Sequence, residues 1–243
     1  MASTIGILGG MGPEATNQLC NWLTALTPVT KDQDHIPVIT YNNPKIPERV
    51  GALVRGTENP VPEMVRTAKV LQQAGADFLL MPCNLAHYFI TEVQAQIQIP
   101  ILNMIEETVR YTITQYSFAR KIGILASSPT IQFGIYEKPF LAHHRILVSP
   151  SQDDQEKKVM EAIYGEEGVK RGHKTRPRDL LTQAAHALVS SGAEIIISGC
   201  TEVSVVMMQR PSPFIMVDPM EVIAQVAIRR ALSEEGVSMV AAK

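Results

Sequence analysis

The chain is sparing with cysteine: Cys20, Cys83 and Cys200 are its only three, widely separated along 243 residues. That spacing gives neither a disulfide framework nor a zinc-ligand pattern. No stretch reaches the ~18–20 apolar residues of a membrane helix, so no membrane partner is expected. The amino terminus, "MASTIGILGGMGPE", has no basic region and too short an apolar run for a secretory signal. An excess of charge is missing too. With 22 Lys and Arg against 24 Asp and Glu, the net charge is −2, and no basic face offers itself to nucleic acid. The one basic cluster, "VKRGHKTRPR" at 169–178, adjoins the acidic "YGEEG" and reads as solvated surface. Cytoplasm is the expected compartment. Thiols stay reduced there, so each cysteine either packs or does chemistry.

What the chain does have is 45% hydrophobic residues, arranged as short apolar runs alternating with segments of helical period. Strands are expected at 4–10, 36–43, 76–82 and 99–104, and helices at 13–27, 59–75 and 86–97, with Pro13 in the first turn of the earliest helix. Such strand–helix alternation implies an α/β fold, a parallel sheet covered by helices on both faces.

The pattern then starts again. "RKIGILASSPT" (120–130) resembles "STIGILGGMGP", and "SGAEIIISGCTEVS" (191–204) resembles "AGADFLLMPCNLAH". Gly123 follows Gly6, Gly192 follows Gly75 and Cys200 follows Cys83, each by 117 residues. A shared offset at three landmarks implies an internal duplication: two similar α/β domains related by a pseudo-two-fold axis. The first is expected over residues 1–104 plus 216–243 and the second over 105–215.

Ligands of open parallel sheets bind beyond the carboxyl ends of the strands. Cys83 and Cys200 take matching strand-end positions, so two facing halves bring both thiols to one cleft. The following Asn84 and Thr201 are favoured helix caps, and a helix start lowers a thiol pKa. Two thiols on opposite faces of a carbon suit stereoinversion: one, as thiolate, removes the α-proton and the other returns a proton. The carbanion formed needs fixed donors around its carboxylate. His87, a turn after Cys83, is expected to be a hydrogen-bonded structural residue, and Cys20 a packing residue.

The segments "GGMGPEAT" (9–16), "IPER" (46–49), "MPCNLAH" (81–87), "GVKRG" (168–172) and "SGCTE" (198–202) resemble the motifs of the cofactor-independent aspartate/glutamate racemases, the aspartate branch above all. The resemblance runs over roughly residues 4–230. It implies a racemase of acidic amino acids, aspartate before glutamate, working without pyridoxal phosphate or metal, with the site between two domains and commonly a homodimer. Carried over by position, Cys83 and Cys200 are the two acid/base residues and Asn84 and Thr201 hold the α-carboxylate. Arg49 and Lys170 contact carboxylates, a planar fork and a compact point charge respectively. Met11 and Gly12 shape the pocket. Read from its own place at a helix start, Glu202 either orients or activates Cys200 or simply favours the helix dipole. Leu85 departs from the family's usual Thr, which removes one hydroxyl from the site.

Three rival readings differ in what they require. A dinucleotide site would need Gly-x-Gly-x-x-Gly spacing and an acid after the second strand; "GILGGMG" and "TYNN" provide neither. A non-catalytic binding protein or sensor of the same fold would have no use for both thiols. A related two-cysteine isomerase acting on another carboxylate, such as maleate or a hydantoin, fits "GGMGP" and "IPER" less well.

Overall fold

A computed structural model describes residues 2–208 and 212–233. The chain opens with strand β1 (Ile5–Gly9), fully buried, then helix α1 (Pro13–Leu26), strand β2 (Val38–Asn42), helix α2 (Val61–Gln73) and strand β3 (Phe78–Leu80). A 3₁₀ turn over Leu85–Phe89 runs into the short α3 (Ile90–Gln94), and α4 (Met104–Gln115) leads to the second half. There the order is β4 (Lys121–Leu125), α5 (Ser128–Gln132), α6 (Glu137–Ala142) and β5 (Ile146–Val148). Helix α7 (Gln152–Asp154), a π turn (Gln155–Met160) and α8 (Glu161–Tyr164) form one winding segment. Helix α9 (Thr175–Ser190), β6 (Ile195–Ser198), α10 (Thr201–Met207), β7 (Met216–Val217) and α11 (Pro219–Ser233) complete the fold.

Two parallel sheets result, one ordered β2-β1-β3 and the other β5-β4-β6-β7. Their registers carry the duplication into three dimensions. Gly6 pairs with Leu79 in the first sheet and Gly123 with Ile196 in the second, so both partners are displaced by the same 117 residues. Gly75 and Gly192 match as well: each leaves its helix with positive φ, +96° and +94°, a conformation glycine adopts without steric penalty.

The fourth strand expected at 99–104 is reduced to a single bridge, Leu79 to Ile101. Leu79 N–H donates to the Pro100 carbonyl and Leu102 N–H to that of Leu79. Pro100 has no N–H with which to extend the ladder. In the second sheet β7 stands in the equivalent place beside β6. Met216 and Val217 therefore belong to the second sheet, not to the first as the expected boundary had it. Helix α11 does return to the first half. Met220, Ile223 and Ala227 pack with Ile5, Ile7, Leu19 and Leu23. Val222 on the same helix joins Ile105, Val109, Ile122 and Ile124 in the second half. Helices α4 and α11 thus lie between the sheets. Met1 and residues 234–243, expected in the first domain, lie outside the described residues.

Candidate active site

The strand ends of both sheets open on one cleft. It is lined by Met11, Arg49, Cys83, Asn84, Leu85, Lys170, Cys200, Thr201 and Glu202, and also by Glu48, Val50, Ser127, Thr130, Tyr164 and Gly199. Of the residues expected at the site, only Gly12 lies elsewhere. It precedes α1 as the residue capping its start and borders an adjoining cavity, which shares Lys170 and Glu202 with the cleft.

Several of these positions follow from local chemistry. The turn after β1 is fixed by Gly10, at φ +99°, where a Cβ would fall 2.1 Å from the Asn43 carbonyl oxygen. Its N–H donates to Thr16 Oγ1 at 2.9 Å, which locks the loop that carries Met11. Arg49 enters a helical segment that continues as a π turn over Gly51–Arg55. Its guanidinium donates to the carbonyls of Pro47 (3.0 Å), Ile46 (3.4 Å) and Met11 (3.1 Å). Arg49 Nε is buried without a partner.

Cys83 is buried just past β3. His87 holds its backbone: Nδ1–H donates to the Cys83 carbonyl at 2.8 Å, and Nε2 accepts from the Met104 N–H at 3.1 Å. Burial keeps this imidazole neutral, with its pKa down to about 4. His87 is therefore a structural bridge between the Cys83 turn and α4. Asn84 is buried too. Its Oδ1 accepts from Tyr136 O–H at 2.5 Å, while Nδ2 has no partner.

On the other wall, Cys200 itself caps α10 and Thr201 is the first helical residue, one position away from the expected arrangement. Cys200 Sγ–H donates to Glu202 Oε2 at 2.9 Å, and Thr201 O–H donates to the same oxygen at 3.2 Å. Lys170 forms an ion pair with Oε1 of that carboxylate, and its ammonium sits 5.4 Å from the centre of the Tyr164 ring. The lowered thiol pKa expected at a helix start is not what this environment gives Cys200. Burial and the adjacent Glu202 charge push the thiol well up, and the pull of Lys170 does not offset them. Glu202 moves the other way: burial alone would raise it, but Lys170 and the Cys200 hydrogen bond hold the carboxyl below its ordinary value. The wall thus presents a protonated thiol bound to an ionised carboxylate.

For Ser127 and Thr130 a sequence signal exists in the repeat. At the offset of 117, Ser127 falls opposite Gly10, in the second half's copy of the glycine loop, and its Oγ lies 3.0 Å from Thr130 Oγ1. Tyr164 and Tyr136 carried none. Cys20, the third cysteine, packs against the core around Leu19 and Leu23, its sulfur 3.5 Å from Thr40 Oγ1.

Comparison with known proteins agrees with this fold. Residues 8–227 match the family model described as Asp/Glu/Hydantoin racemase, and the chain belongs to that family. It is accordingly an isomerase of the racemase type. It is 27% identical over 233 residues to the broad specificity amino-acid racemase of Bacillus subtilis (strain 168), an alignment covering 94% of this chain and 98% of that protein. Among solved structures, the Picrophilus torridus aspartate racemase superposes with a TM-score of 0.78 at 27% identity, over 94% of each chain. An aspartate racemase homologue from Pyrococcus horikoshii OT3 shares the fold, with a TM-score of 0.74 at 20% identity over 95% of this chain and 99% of that one. Among the described residues, no helix is long and apolar enough to cross a membrane.

Proposed function

We propose that the chain racemises an acidic α-amino acid, aspartate in preference to glutamate, by moving protons at two cysteines and without pyridoxal phosphate or metal. One observation carries this reading: Cys83 and Cys200, at matching strand ends of two duplicated sheets, line one cleft. Two buried donors in that cleft, Arg49 Nε and Asn84 Nδ2, lack acceptors. Orphaned buried donors are costly, and a carboxylate oxygen brought against either one would satisfy it.

In one direction Cys83, as thiolate, takes the α-proton and becomes a thiol. The electron pair left behind spreads into the α-carboxylate, whose charge Arg49, Asn84 and Thr201 stabilise. Cys200 then gives its proton to the opposite face of the carbon and becomes a thiolate, completing the inversion. The reverse reaction starts from the state so formed. Glu202, bound to the Cys200 sulfur and held ionised by Lys170, keeps that thiol aimed. An ammonium carries three donors, so Lys170 retains N–H groups for a side-chain carboxylate. Met11 forms part of the cleft wall. The unit is proposed as a homodimer of two-lobed chains, each lobe built on one sheet.

A second reading, an uncharged substrate side chain, is favoured by Leu85 and Glu48 in the cleft wall and by the broad specificity of the Bacillus subtilis relative. One experiment separates the two: incubation in deuterium oxide with each enantiomer of aspartate, glutamate and a panel of neutral amino acids. Loss of the α-proton is followed by NMR and chirality by chromatography, beside Cys83→Ser and Cys200→Ser. The expected result is exchange with inversion for aspartate, reduced roughly 100-fold or more in either variant. Turnover of neutral amino acids alone would establish the second reading. A folded protein that exchanges none of them would sink both.

A further inference from the structure

Asn84 is held by a residue of the other half. Its partner Tyr136, just before α6, belongs to the second half, whereas Asn84 follows β3 of the first. Tyr136 is completely buried, stacked on Phe140 with ring centroids 6.3 Å apart and packed among Ile122, Ile124 and Ile195. Its position is therefore dictated by the second sheet. A phenol buried so deeply must give its proton to an acceptor, and Asn84 Oδ1 receives it at 2.5 Å.

A primary amide has two ends, and turning it by half a revolution exchanges acceptor for donors. Bound by its carbonyl, Asn84 turns only if the Tyr136 hydroxyl swings its proton away, toward Thr108, and accepts instead; as the groups stand, Nδ2 is left free of protein partners. We propose that Tyr136 is a positioning residue for substrate recognition: its hydroxyl fixes the Asn84 amide so that Nδ2, not Oδ1, is offered to the substrate carboxylate. This rests on the reading of Asn84 as a carboxylate ligand. Tyr136 reaches the substrate only through Asn84, although its hydroxyl also hydrogen-bonds Thr108 of α4. Because the two residues come from different sheets, the donor is set only while the halves are docked, which ties carboxylate recognition to an assembled cleft.

Tyr136→Phe removes the hydroxyl and keeps the ring packing. Thermal unfolding, kcat and KM for the amino acid turned over, and calorimetric binding of the unreactive dicarboxylate succinate should be measured together. The expected result is a rise of about tenfold in the succinate Kd and in KM, with a fall in kcat as well, since Asn84 both holds the carboxylate in the ground state and stabilises the charge it gains in the transition state. Asn84→Asp keeps the acceptor for Tyr136 and loses the donor, so it should abolish succinate binding. A Tyr136→Phe protein with a lower Tm but unaltered KM and Kd would reduce the hydroxyl to a structural contact. Undiminished binding by Asn84→Asp would show that the carbonyl end faces the ligand. Either result overturns the proposal. If the wild-type protein binds succinate and racemises nothing, the racemase reading fails while the binding comparison still decides the role of Tyr136. If it binds no carboxylate, both fail.

Discussion

The Cys200 thiol and the Glu202 carboxylate, two residues apart at the start of α10, share a hydrogen bond of 2.9 Å, and Lys170 pairs with the carboxylate's other oxygen. The three groups form one electrostatic unit. The cation keeps Glu202 ionised against its burial, and the ionised Glu202 helps keep Cys200 protonated. Lys170 itself is pulled two ways: burial lowers its pKa, but the carboxylate more than restores it.

Replacing Lys170 by Met should raise the Glu202 pKa, because burial would then be opposed only by the hydrogen bonds from Cys200 and the backbone. The acid limb of the kcat/KM–pH profile should move to higher pH, and kcat/KM at neutral pH should fall roughly 10- to 100-fold. Removing the cation also raises the Cys200 thiol further. For a racemase the equilibrium constant is one, so kcat/KM must fall equally in both directions. An acid limb left in place by Lys170→Met would refute the coupling.

Two buried groups should set opposing pH dependences of stability. The His87 pKa is held at about 4 by burial, below its ordinary 6.5. As pH falls through that window the unfolded chain binds a proton that the folded chain does not, and stability is lost. Asp218, beneath α10, accepts from Ser204 O–H at 2.7 Å and from Met220 N–H at 2.9 Å. Burial pushes its carboxyl from 3.8 up to about 6. The folded chain protonates it first, so stability is gained as pH falls from about 6 to 3.8. Each effect amounts to about 3 kcal/mol, and they nearly offset in the intact protein. In urea denaturation from pH 4 to 7, His87→Asn should become more stable on acidification and Asp218→Asn less stable. Variants with the wild-type slope would contradict this assignment.

Leu85 lies in the cleft wall where the resemblance led us to expect a threonine. Leu85→Thr should raise kcat/KM for an acidic amino acid by about two- to tenfold if the hydroxyl meets the substrate, the span of one ordinary hydrogen bond. It should lower kcat/KM for a substrate with an apolar side chain. Steady-state kinetics on one acidic and one neutral amino acid reads both changes. Movement of the two in the same direction would separate Leu85 from specificity.

The two parallel sheets, the 117-residue repeat and the meeting of Cys83 with Cys200 in one cleft were legible in the chain itself. The period of apolar residues, the glycines at helix exits and the repeated strand ends are local signals, and local signals survive in sequence. The fourth strand was expected to be longer because the weight given to its apolar run hid what Pro100, plain in the same run, does to the ladder. Met216–Val217 was assigned to the wrong sheet because so short a strand takes its place from its neighbour β6 alone.

The electrostatic state of Cys200 was beyond such reading. A helix start is visible in "SGCTE", but the burial and the Glu202 charge that outweigh it exist only once α10 is packed. The same holds for Tyr136, whose hydroxyl reaches Asn84 from 52 residues away, and for Lys170, which finds Glu202 across 32. The sequence by itself determined the repeated scaffold and where its two thiols end their strands. Which groups face those thiols, and in what charge state, was decided only by tertiary structure, because desolvation and cross-sheet hydrogen bonds depend on how the two halves dock.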